Sequence, residues 1–194
     1  GLNLKYKQIE GGFTQPNGEM NQNMLSWARD CAQGSDRWDL LELYCGNGNF
    51  SIALADKFRQ VFATEISKTS VKAANDNKEM NSIENVHFAK VSAEEFTAHM
   101  SGQRLRKRLK DMNLEEANFG TVLVDPPRSG LDEDSCKMIS QYPNIIYISC
   151  NPETLEDNLK VLSQTHHIQR FALFDQFPYT HHIECGVYLV KKTT

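Results

Sequence analysis

Cys150 stands at the junction between an apolar run and a helix-like pattern, in the stretch YISCNPETLEDNL at residues 147–159. Asn151 is a residue type that caps helices and proline suits the first helical position, so the sequence predicts a helix that begins near Pro152. The dipole of that helix would favour the thiolate of Cys150, which is the nucleophilic form of a cysteine. Most free cysteines are small buried hydrophobes, and packing is the alternative interpretation.

A glycine turn lies in YCGNGNFS, residues 44–51. Gly46 and Gly48 allow a tight turn and a close approach of the backbone to a ligand. A dinucleotide-binding turn would need glycine where Ser51 stands, so a pyrophosphate cradle is not indicated. Glu65 closes the second predicted strand and can accept hydrogen bonds from both hydroxyls of a ribose. The combination points to S-adenosylmethionine; the alternative is a structural turn and a solvated glutamate.

The segment DPPRSG at residues 125–130 follows another apolar run. Asp125 closes the fourth predicted strand, and Pro126 and Pro127 hold the loop after it extended. A rigid loop at this place suits a flat base or a charged cofactor. Some methyltransferases that act on amino groups carry a short acidic-Pro-Pro-aromatic loop here. Arg128 replaces the aromatic residue, which argues against an exocyclic amine as the target.

A thiolate beside a methyl donor has a specific use. C5 of a pyrimidine is a poor nucleophile, but addition of a thiolate at C6 makes C5 enolate-like and able to attack an electrophilic methyl group. A base must then remove the C5 proton so that the thiol can leave. Glu184 stands at the very start of the final predicted strand and is the candidate base. His181 and His182 are rival bases, with aromatic stacking or RNA contact as an alternative role of equal weight.

The five cysteines are scattered and show no CxxC pairing, so neither a zinc site nor a disulfide framework is indicated. This usage predicts a reduced, cytoplasmic setting. Cys45 is a rival nucleophile, but a glycine rather than a helix cap follows it. Three other cysteines are interpreted as packing residues: Cys31, Cys136 and Cys185.

The charge balance is mildly acidic, with 21 Lys and Arg against 25 Asp and Glu and a net charge of −4. This argues against a protein that coats nucleic acid through bulk charge. It leaves room for a local basic patch, and RLRKRLK at residues 104–110 is the candidate. A solvated helix face is the first interpretation of that run and phosphate contact the second.

Strand and helix patterns alternate along the chain. Strands are predicted at 38–44, 60–65, 85–91, 119–125, 144–150, 168–177 and 184–191. Helices are predicted at 19–33, 49–58, 67–81, 92–100, within 129–142 and at 153–165. Continuously apolar strands between helices predict an α/β fold with a doubly wound, mostly parallel seven-stranded sheet, and the missing helix before the last strand makes that strand antiparallel. Ligands bind outside the carboxyl ends of such strands. The residues expected at that rim are Tyr44, Glu65, Ser92, Asp125 and Cys150.

Seven segments together resemble the RNA 5-methyluridine methyltransferase family, in the family's order and over almost the whole chain. They are FTQPN (13–17), LLELYCGNGNFSIALA (40–55), ATEIS (63–67), AEEF (93–96), LVDPPRSGLD (123–132), YISCNPETL (147–155) and FDQFPYTHHIECGVYL (174–189). The resemblance implies a Rossmann-like class I methyltransferase domain that methylates the T-loop uridine of tRNA from S-adenosylmethionine. It implies Cys150 as the nucleophile and Glu184 as the base.

The resemblance also implies the set of residues that bind the cofactor: Gln15, Tyr44, Asn49, Glu65 and Asp125. Gln15 lies in the N-terminal segment 1–18, so this segment is expected to contribute to the cofactor site. Arg128 is expected to support the catalytic loop or the RNA. No metal is expected.

Members of the family carry an N-terminal β-rich region with part of the RNA-binding surface, and this chain begins just before FTQPN. We therefore expect residues 1–194 to form the methyltransferase domain without that region. The expected partner is tRNA, with no membrane association, as a monomer. Two alternative functions stay open: a uridine of ribosomal RNA as the target, or a module that binds cofactor and RNA without catalysis.

Overall fold

A computed structural model describes residues 3–7, 15, 17–102, 109, 112–176, 180 and 183–193. The described residues form seven strands: β1 Asp39–Leu43, β2 Val61–Glu65, β3 Val86–Lys90, β4 Phe119–Val124, β5 Asn144–Ser149, β6 His166–Phe174 and β7 Glu184–Lys191. They form these helices: α1 Gly18–Cys31, α2 Asn49–Leu54, α3 Lys68–Met80, α4 Ala93–Met100, α5 Glu133–Ile139 and α6 Pro152–Leu162, with short 3-10 turns at Ala55–Lys57 and Leu114–Glu116.

The strands form one sheet in the order β3-β2-β1-β4-β5-β7-β6. The pairs from β3 to β5 are parallel, and β7 runs antiparallel to both of its neighbours. The predicted α/β class, the seven strands and the antiparallel last strand are therefore confirmed. Because the first five strands point the same way, their carboxyl ends meet along one edge of the sheet.

Helices cover both faces of the sheet. On one face, α4, α5 and α6 pack against alternate residues of the central strands, with Phe96, Tyr147 and Ile139 among the fully buried side chains. On the other face, α1 and α2 pack on the intervening residues, with Met24 and Leu54 in the core. The strands between them are buried on both sides, which explains why their sequences are continuously apolar.

Three predicted helix starts are confirmed by their caps. Ser67 accepts a hydrogen bond from the Ser70 backbone at the start of α3. Ser92 and Glu95 form the predicted capping box of α4. Asn151 accepts from the Glu153 backbone at the start of α6. Each cap fixes a helix directly after the carboxyl end of a strand, which is where the site was expected.

The predicted sixth strand is partly wrong. It was expected at 168–177 as a buried apolar strand, but β6 begins at His166 and ends at Phe174. Among the described strands it pairs with β7 alone, so it lies at an edge of the sheet. Ile168, Phe171 and Leu173 are exposed, whereas Phe174 is buried and packs against Trp27 of α1.

Candidate functional site

A cleft of about 1020 Å³ opens at the carboxyl edge of the sheet. All seven residues that the sequence singled out line it: Gln15, Tyr44, Asn49, Glu65, Asp125, Cys150 and Glu184. Ser92, the remaining strand-terminal residue, lines it as well. The rule that places ligands at the carboxyl ends of parallel strands therefore located the cleft correctly.

The glycine turn bends sharply at one wall of the cleft. Tyr44, Gly46 and Gly48 have φ angles of 61°, 54° and 83°, all in the left-handed region that favours glycine. A Cβ atom at Gly46 would meet no atom within 4 Å, whereas one at Gly48 would lie 2.9 Å from Cζ of Phe88. Gly46 thus leaves space in the cleft, and Gly48 is needed for packing beneath it.

Glu65 is held in place by the backbone around it. Its Oε2 accepts from the Gly46 N–H at 3.1 Å, and its Oε1 accepts from the Ser67 N–H at 2.8 Å. The carboxylate therefore joins the glycine turn after β1 to the start of α3. Each of its oxygens can accept a further hydrogen bond, as two ribose hydroxyls would require.

Glu42 is a cleft residue that the sequence reasoning missed. It lies within β1, is 1% exposed and lines the cleft. Its carboxylate accepts a hydrogen bond from the buried Ser51 hydroxyl. Burial, more than the charges of Asp125 and Glu65, raises its pKa to about 8. One signal was available, since an acid inside an otherwise apolar strand needs a buried partner or a ligand.

The N-terminal segment contributes two side chains to the same wall. The Tyr6 hydroxyl donates to the Asn49 carbonyl at 2.9 Å. Gln15 accepts from Nε2 of Gln176 at 3.0 Å. The Asn49 side chain exchanges two amide hydrogen bonds with Asn21 of α1, at 2.8 and 3.1 Å. Tyr6, Asn21 and Gln176 were not predicted, because their places depend on how segments distant in sequence pack together, which the patterns of those segments do not give.

Cys150 and Glu184 both line the cleft. Cys150 directly follows β5 and Glu184 opens β7, each one position beyond the Ser149–Cys185 pair that ends the β5–β7 register. The charge of Glu184 acts on the Cys150 thiol. The structure therefore brings the predicted nucleophile and the predicted base together at the rim.

Glu184 is a buried acid whose Oε2 has no hydrogen-bond partner among the residues that the structure describes. It is 5% exposed, and this burial raises its pKa. A buried, unsatisfied carboxylate oxygen is costly and needs an explanation. A proton acceptor in a cleft that closes around a substrate is one such explanation.

Cys150 is half-buried, and its pKa is raised rather than lowered. Burial is the main cause, the charges of Glu184 and Asp125 add to it, and the charge of Arg128 opposes them. The helix expected after Cys150 is in place, so its dipole can favour the thiolate as predicted. Burial and the two acids act in the opposite direction.

Asp125 completes a cluster of acids on this side of the cleft. Burial, and then the charge of Glu184, raise its pKa to about 8. An acid whose pKa lies near neutral pH, close to a thiol and a second acid, is typical of a functional site. These three groups come from the ends of β4 and β5 and from the start of β7.

The structure also describes all the other cysteines of the sequence. Cys45 is buried, and burial raises its pKa well above the ordinary value, so it is a poor nucleophile. Cys31, Cys136 and Cys185 are buried, as packing residues should be. His181 and His182 lie outside the described residues, as does the basic run 104–110 except for Leu109, which is buried.

Two absences apply to the described part of the chain. None of its helices is both long enough and apolar enough to pass through a bilayer. No group of three or more His, Cys, Asp or Glu residues within it is arranged to hold a metal ion.

The sheet order and the cleft at its carboxyl edge define a Rossmann-like methyltransferase fold. A solved structure with this fold is the Pyrococcus abyssi tRNA (uracil-54, C5)-methyltransferase in complex with S-adenosyl-L-homocysteine. It is 27% identical to this chain with a TM-score of 0.78, and the match covers 96% of this chain and 42% of that one.

The family model described as tRNA (Uracil-5-)-methyltransferase matches residues 1–192. This chain belongs to that family. Two curated relatives are both called tRNA/tmRNA (uracil-C(5))-methyltransferase. The protein from Photobacterium profundum is 60% identical over 191 residues, which are 97% of this chain and 52% of that protein. The protein from Actinobacillus pleuropneumoniae serotype 3 is 59% identical over 192 residues, 99% of this chain and 52% of that protein. The chain thus spans about half the length of the curated relatives it matches.

Proposed function

We propose that this chain is the catalytic domain of an enzyme that transfers a methyl group from S-adenosylmethionine to C5 of a uridine in the T loop of tRNA. The observation that carries the proposal is the presence of Cys150 and Glu184 in one cleft with the glycine turn and Glu65. The names of the relatives supply the class of substrate, a uracil of tRNA or tmRNA. In this proposal residues 1–194 act as one domain, and the monomeric state, the absence of a metal and the cytoplasmic setting stay predictions.

The cleft fits S-adenosylmethionine in three respects. Gly46 leaves space where any other residue would place a side chain. Glu65 offers a fixed carboxylate to the ribose. The acidic lining, with Glu42 and Asp125, suits a positively charged ligand. Gln15, Tyr44 and Asn49 would complete the binding set. When bound, the cofactor supplies an electrophilic methyl group to C5 of the uracil.

The proposed reaction begins at Cys150. Its thiolate adds to C6 of the uracil, an S–C6 bond forms, and the electrons of the C5–C6 double bond move to C5 and its adjoining carbonyl as an enolate. Because the pKa of Cys150 is raised, the thiol must first pass its proton to solvent water as the uracil binds, and the Arg128 charge favours that loss. C5 is then nucleophilic enough to accept the methyl group.

Glu184 closes the reaction. Its carboxylate takes the proton from C5, the C5–C6 double bond forms again, and the S–C6 bond breaks to release Cys150 as a thiolate. Burial raises the pKa of Glu184, which makes it a stronger base than an exposed glutamate. A uridine within a folded loop must leave its stack to reach both groups.

Methyl transfer from labelled S-adenosylmethionine to unmodified tRNA tests the proposal. It should be measured both for this chain and for a full-length protein, because the curated relatives are about twice as long. Nuclease digestion of the product and mass spectrometry should place 5-methyluridine in the T arm. Incorporation of label into ribosomal RNA but not into tRNA would contradict the proposal that tRNA is the substrate.

The variant Cys150→Ser tests the mechanism. We expect it to lose at least about a thousandfold in methyl transfer, as nucleophile removal does in other covalent catalysts, while it still binds cofactor. Cys31→Ala removes a cysteine from α1, outside the cleft, and should keep activity. Full activity of Cys150→Ser would exclude the covalent route.

A further inference from the structure

The loop at residues 126–131 follows Asp125 and places Arg128 beside Cys150. It contains a turn in which the Gly130 N–H donates to the Pro127 carbonyl at 2.9 Å. Arg128 is exposed, and a turn of this size can move as a unit unless something outside it fixes its backbone. The contacts of this loop with α6 supply that fixation.

Three polar residues of α6 and its cap form a stripe along the face next to this loop. Asn151, Thr154 and Asn158 are separated by three and four positions, which puts them on one side of a helix. The Asn151 side-chain amide and the Thr154 hydroxyl both donate to the Arg128 carbonyl, each at 3.0 Å. The Thr154 hydroxyl also lies 3.2 Å from the Asn151 carbonyl, an alternative acceptor within the helix.

Asn158 holds the far end of the loop. Its side-chain oxygen accepts from the Leu131 N–H at 2.8 Å, and its amide donates to the Leu131 carbonyl at 3.0 Å. The Tyr147 hydroxyl of β5 donates to the same side-chain oxygen at 2.7 Å. Asn158 is 9% exposed, so these bonds are shielded from water and hold firmly.

The loop backbone lies directly against this stripe. A Cβ atom at Gly130 would lie 2.9 Å from the Asn158 side-chain oxygen and 3.1 Å from Cβ of Thr154. The φ angle of Gly130 is 72°, which also favours glycine. The close fit makes the loop and the first turns of α6 one unit.

We infer that Thr154 and Asn158 are positioning residues: they hold the loop against the helix that follows Cys150 and thereby fix the Arg128 side chain beside the thiol. The inference deepens the proposed function and rests on it for its role in catalysis. Neither residue touches the substrate in this scheme, because both act through the loop backbone.

The charges around Cys150 show what the clamp would control. The thiol is faced by Glu184 of β7, by Asp125 directly after β4, and by Arg128 of the loop. The two acids disfavour the thiolate and the arginine favours it. The acids stand at strand ends and keep their places when the loop loosens, whereas Arg128 does not. Loss of the clamp should therefore make the thiol less acidic.

The pH dependence of Cys150 alkylation by iodoacetamide measures this directly, and it needs neither RNA nor cofactor. The other four cysteines are buried, so Cys150 is the reactive thiol of the folded chain. Thr154→Val removes the hydroxyl at constant shape. We expect its alkylation profile to shift by roughly half a pH unit to higher pH, about a threefold lower rate at fixed pH, because an adjacent charge moves a pKa by about one unit or more.

A double-mutant cycle separates positioning from general loosening. Arg128→Gln removes the charge and should shift the profile at least as far as Thr154→Val. In the Arg128→Gln background, Thr154→Val should add no further shift, because the charge that the clamp positions is gone. Thr154→Ser should restore the profile of the parent chain. Thr165 lies beyond the end of α6, and its hydroxyl donates to the Leu162 carbonyl. Thr165→Val removes that hydroxyl and should leave the alkylation profile unchanged.

Asn158→Ala should shift the profile in the same direction and further, and thermal unfolding should show that the variant is folded at the assay temperature. A Thr154→Val profile that superimposes on the parent profile would overturn the inference, as would full additivity with Arg128→Gln. Absence of methyl transfer by the parent enzyme would count against the proposed function instead and would leave the alkylation result intact.

Discussion

At the scale of single residues, the site brings together a thiol and two acids whose pKa values are all raised. Burial is the first cause for Cys150, Asp125 and Glu184 alike. A raised pKa favours the protonated form of each group, and a bound substrate or a nearby positive charge would shift that balance. In the proposed reaction, the Cys150 thiol therefore becomes reactive as the substrate binds.

Replacement of Glu184 by glutamine should separate the two halves of the proposed reaction. Glu184→Gln removes the base but leaves Cys150 able to add to the uracil, so the methylated protein–RNA adduct should accumulate while turnover falls at least about a hundredfold. A denaturing gel with labelled tRNA detects the adduct as a slowly migrating band.

Two controls make that experiment decisive. The double variant Cys150→Ser, Glu184→Gln should show no band, because the covalent bond cannot form. Glu153→Gln changes an exposed acid in the first turn of α6 and should turn over normally. If Glu184→Gln turns over tRNA without trapping it, another residue removes the C5 proton.

At the scale of elements, the glycine turn between β1 and α2 does two different tasks with two glycines. Both have positive φ angles, so alanine at either position costs about 1 kcal/mol of backbone strain. Only Gly48 is packed against Phe88, and only Gly46 faces open space in the cleft. Substitution of Gly48 should therefore mainly lower stability, and substitution of Gly46 should mainly weaken cofactor binding.

We expect Gly48→Ala to lower the free energy of unfolding by about 2–3 kcal/mol, because the new methyl group overlaps Phe88 in addition to the backbone strain. Gly46→Ala should cost about 1 kcal/mol but weaken cofactor binding by at least about tenfold, since its methyl group enters the cleft. Urea unfolding and calorimetric titration with S-adenosylhomocysteine measure the two effects. Equal losses of stability in both variants would contradict this division.

Most of the elements could be predicted because the pattern of apolar residues in the sequence indicates which positions are buried. β1 is buried at every position, and its apolar run indicates a strand covered on both faces. The caps of α3, α4 and α6 could be predicted because Ser and Asn side chains accept hydrogen bonds from the unpaired backbone N–H groups at a helix start. β6 was misplaced because an edge strand carries no such signature: its apolar residues look like core and are exposed.

The site was predictable where a residue ends a strand and unpredictable where it reaches the cleft from elsewhere. Glu65, Asp125 and Cys150 could be found by that rule. Glu42 could not be found by that rule, since it lies within β1: an acid in an apolar run indicates a need for a buried partner or a ligand but does not place the side chain at the cleft. Tyr6 could not either, because its place depends on long-range contacts: the backbone of neighbouring Lys7 donates to the Asn77 side chain of α3. The raised pKa of Cys150 required knowledge of which acids surround it.

At the scale of the whole molecule, the cleft gathers several acids, and their burial makes the stability of the fold depend on pH. Burial and neighbouring acids raise the pKa values of Glu42 and Asp125 to about 8. An acid whose pKa is higher in the folded state binds more protons when folded, so its contribution to stability is complete below its unfolded pKa and is lost as the pH rises through its folded pKa. The proposed cationic cofactor would offset this loss.

The free energy of unfolding should accordingly fall between about pH 7 and pH 8, by on the order of 1 kcal/mol for Glu42 alone. Two other changes in the free energy of unfolding, both of opposite sign, fall outside this pH range. His87 and His166 have lowered pKa values, so their contribution rises only as the pH approaches 6.5 from below. Acids with lowered pKa values, such as Asp56, lose their contribution only below about pH 4.

Glu42→Gln provides the test, because glutamine resembles the protonated acid and can still accept from the Ser51 hydroxyl. Urea unfolding between pH 7 and pH 8 should show a clearly smaller decrease for this variant than for the parent chain, and the variant should be the more stable of the two at pH 8. A parent curve that is flat over this range, or equal slopes for both proteins, would mean that Glu42 is ionised in the folded state.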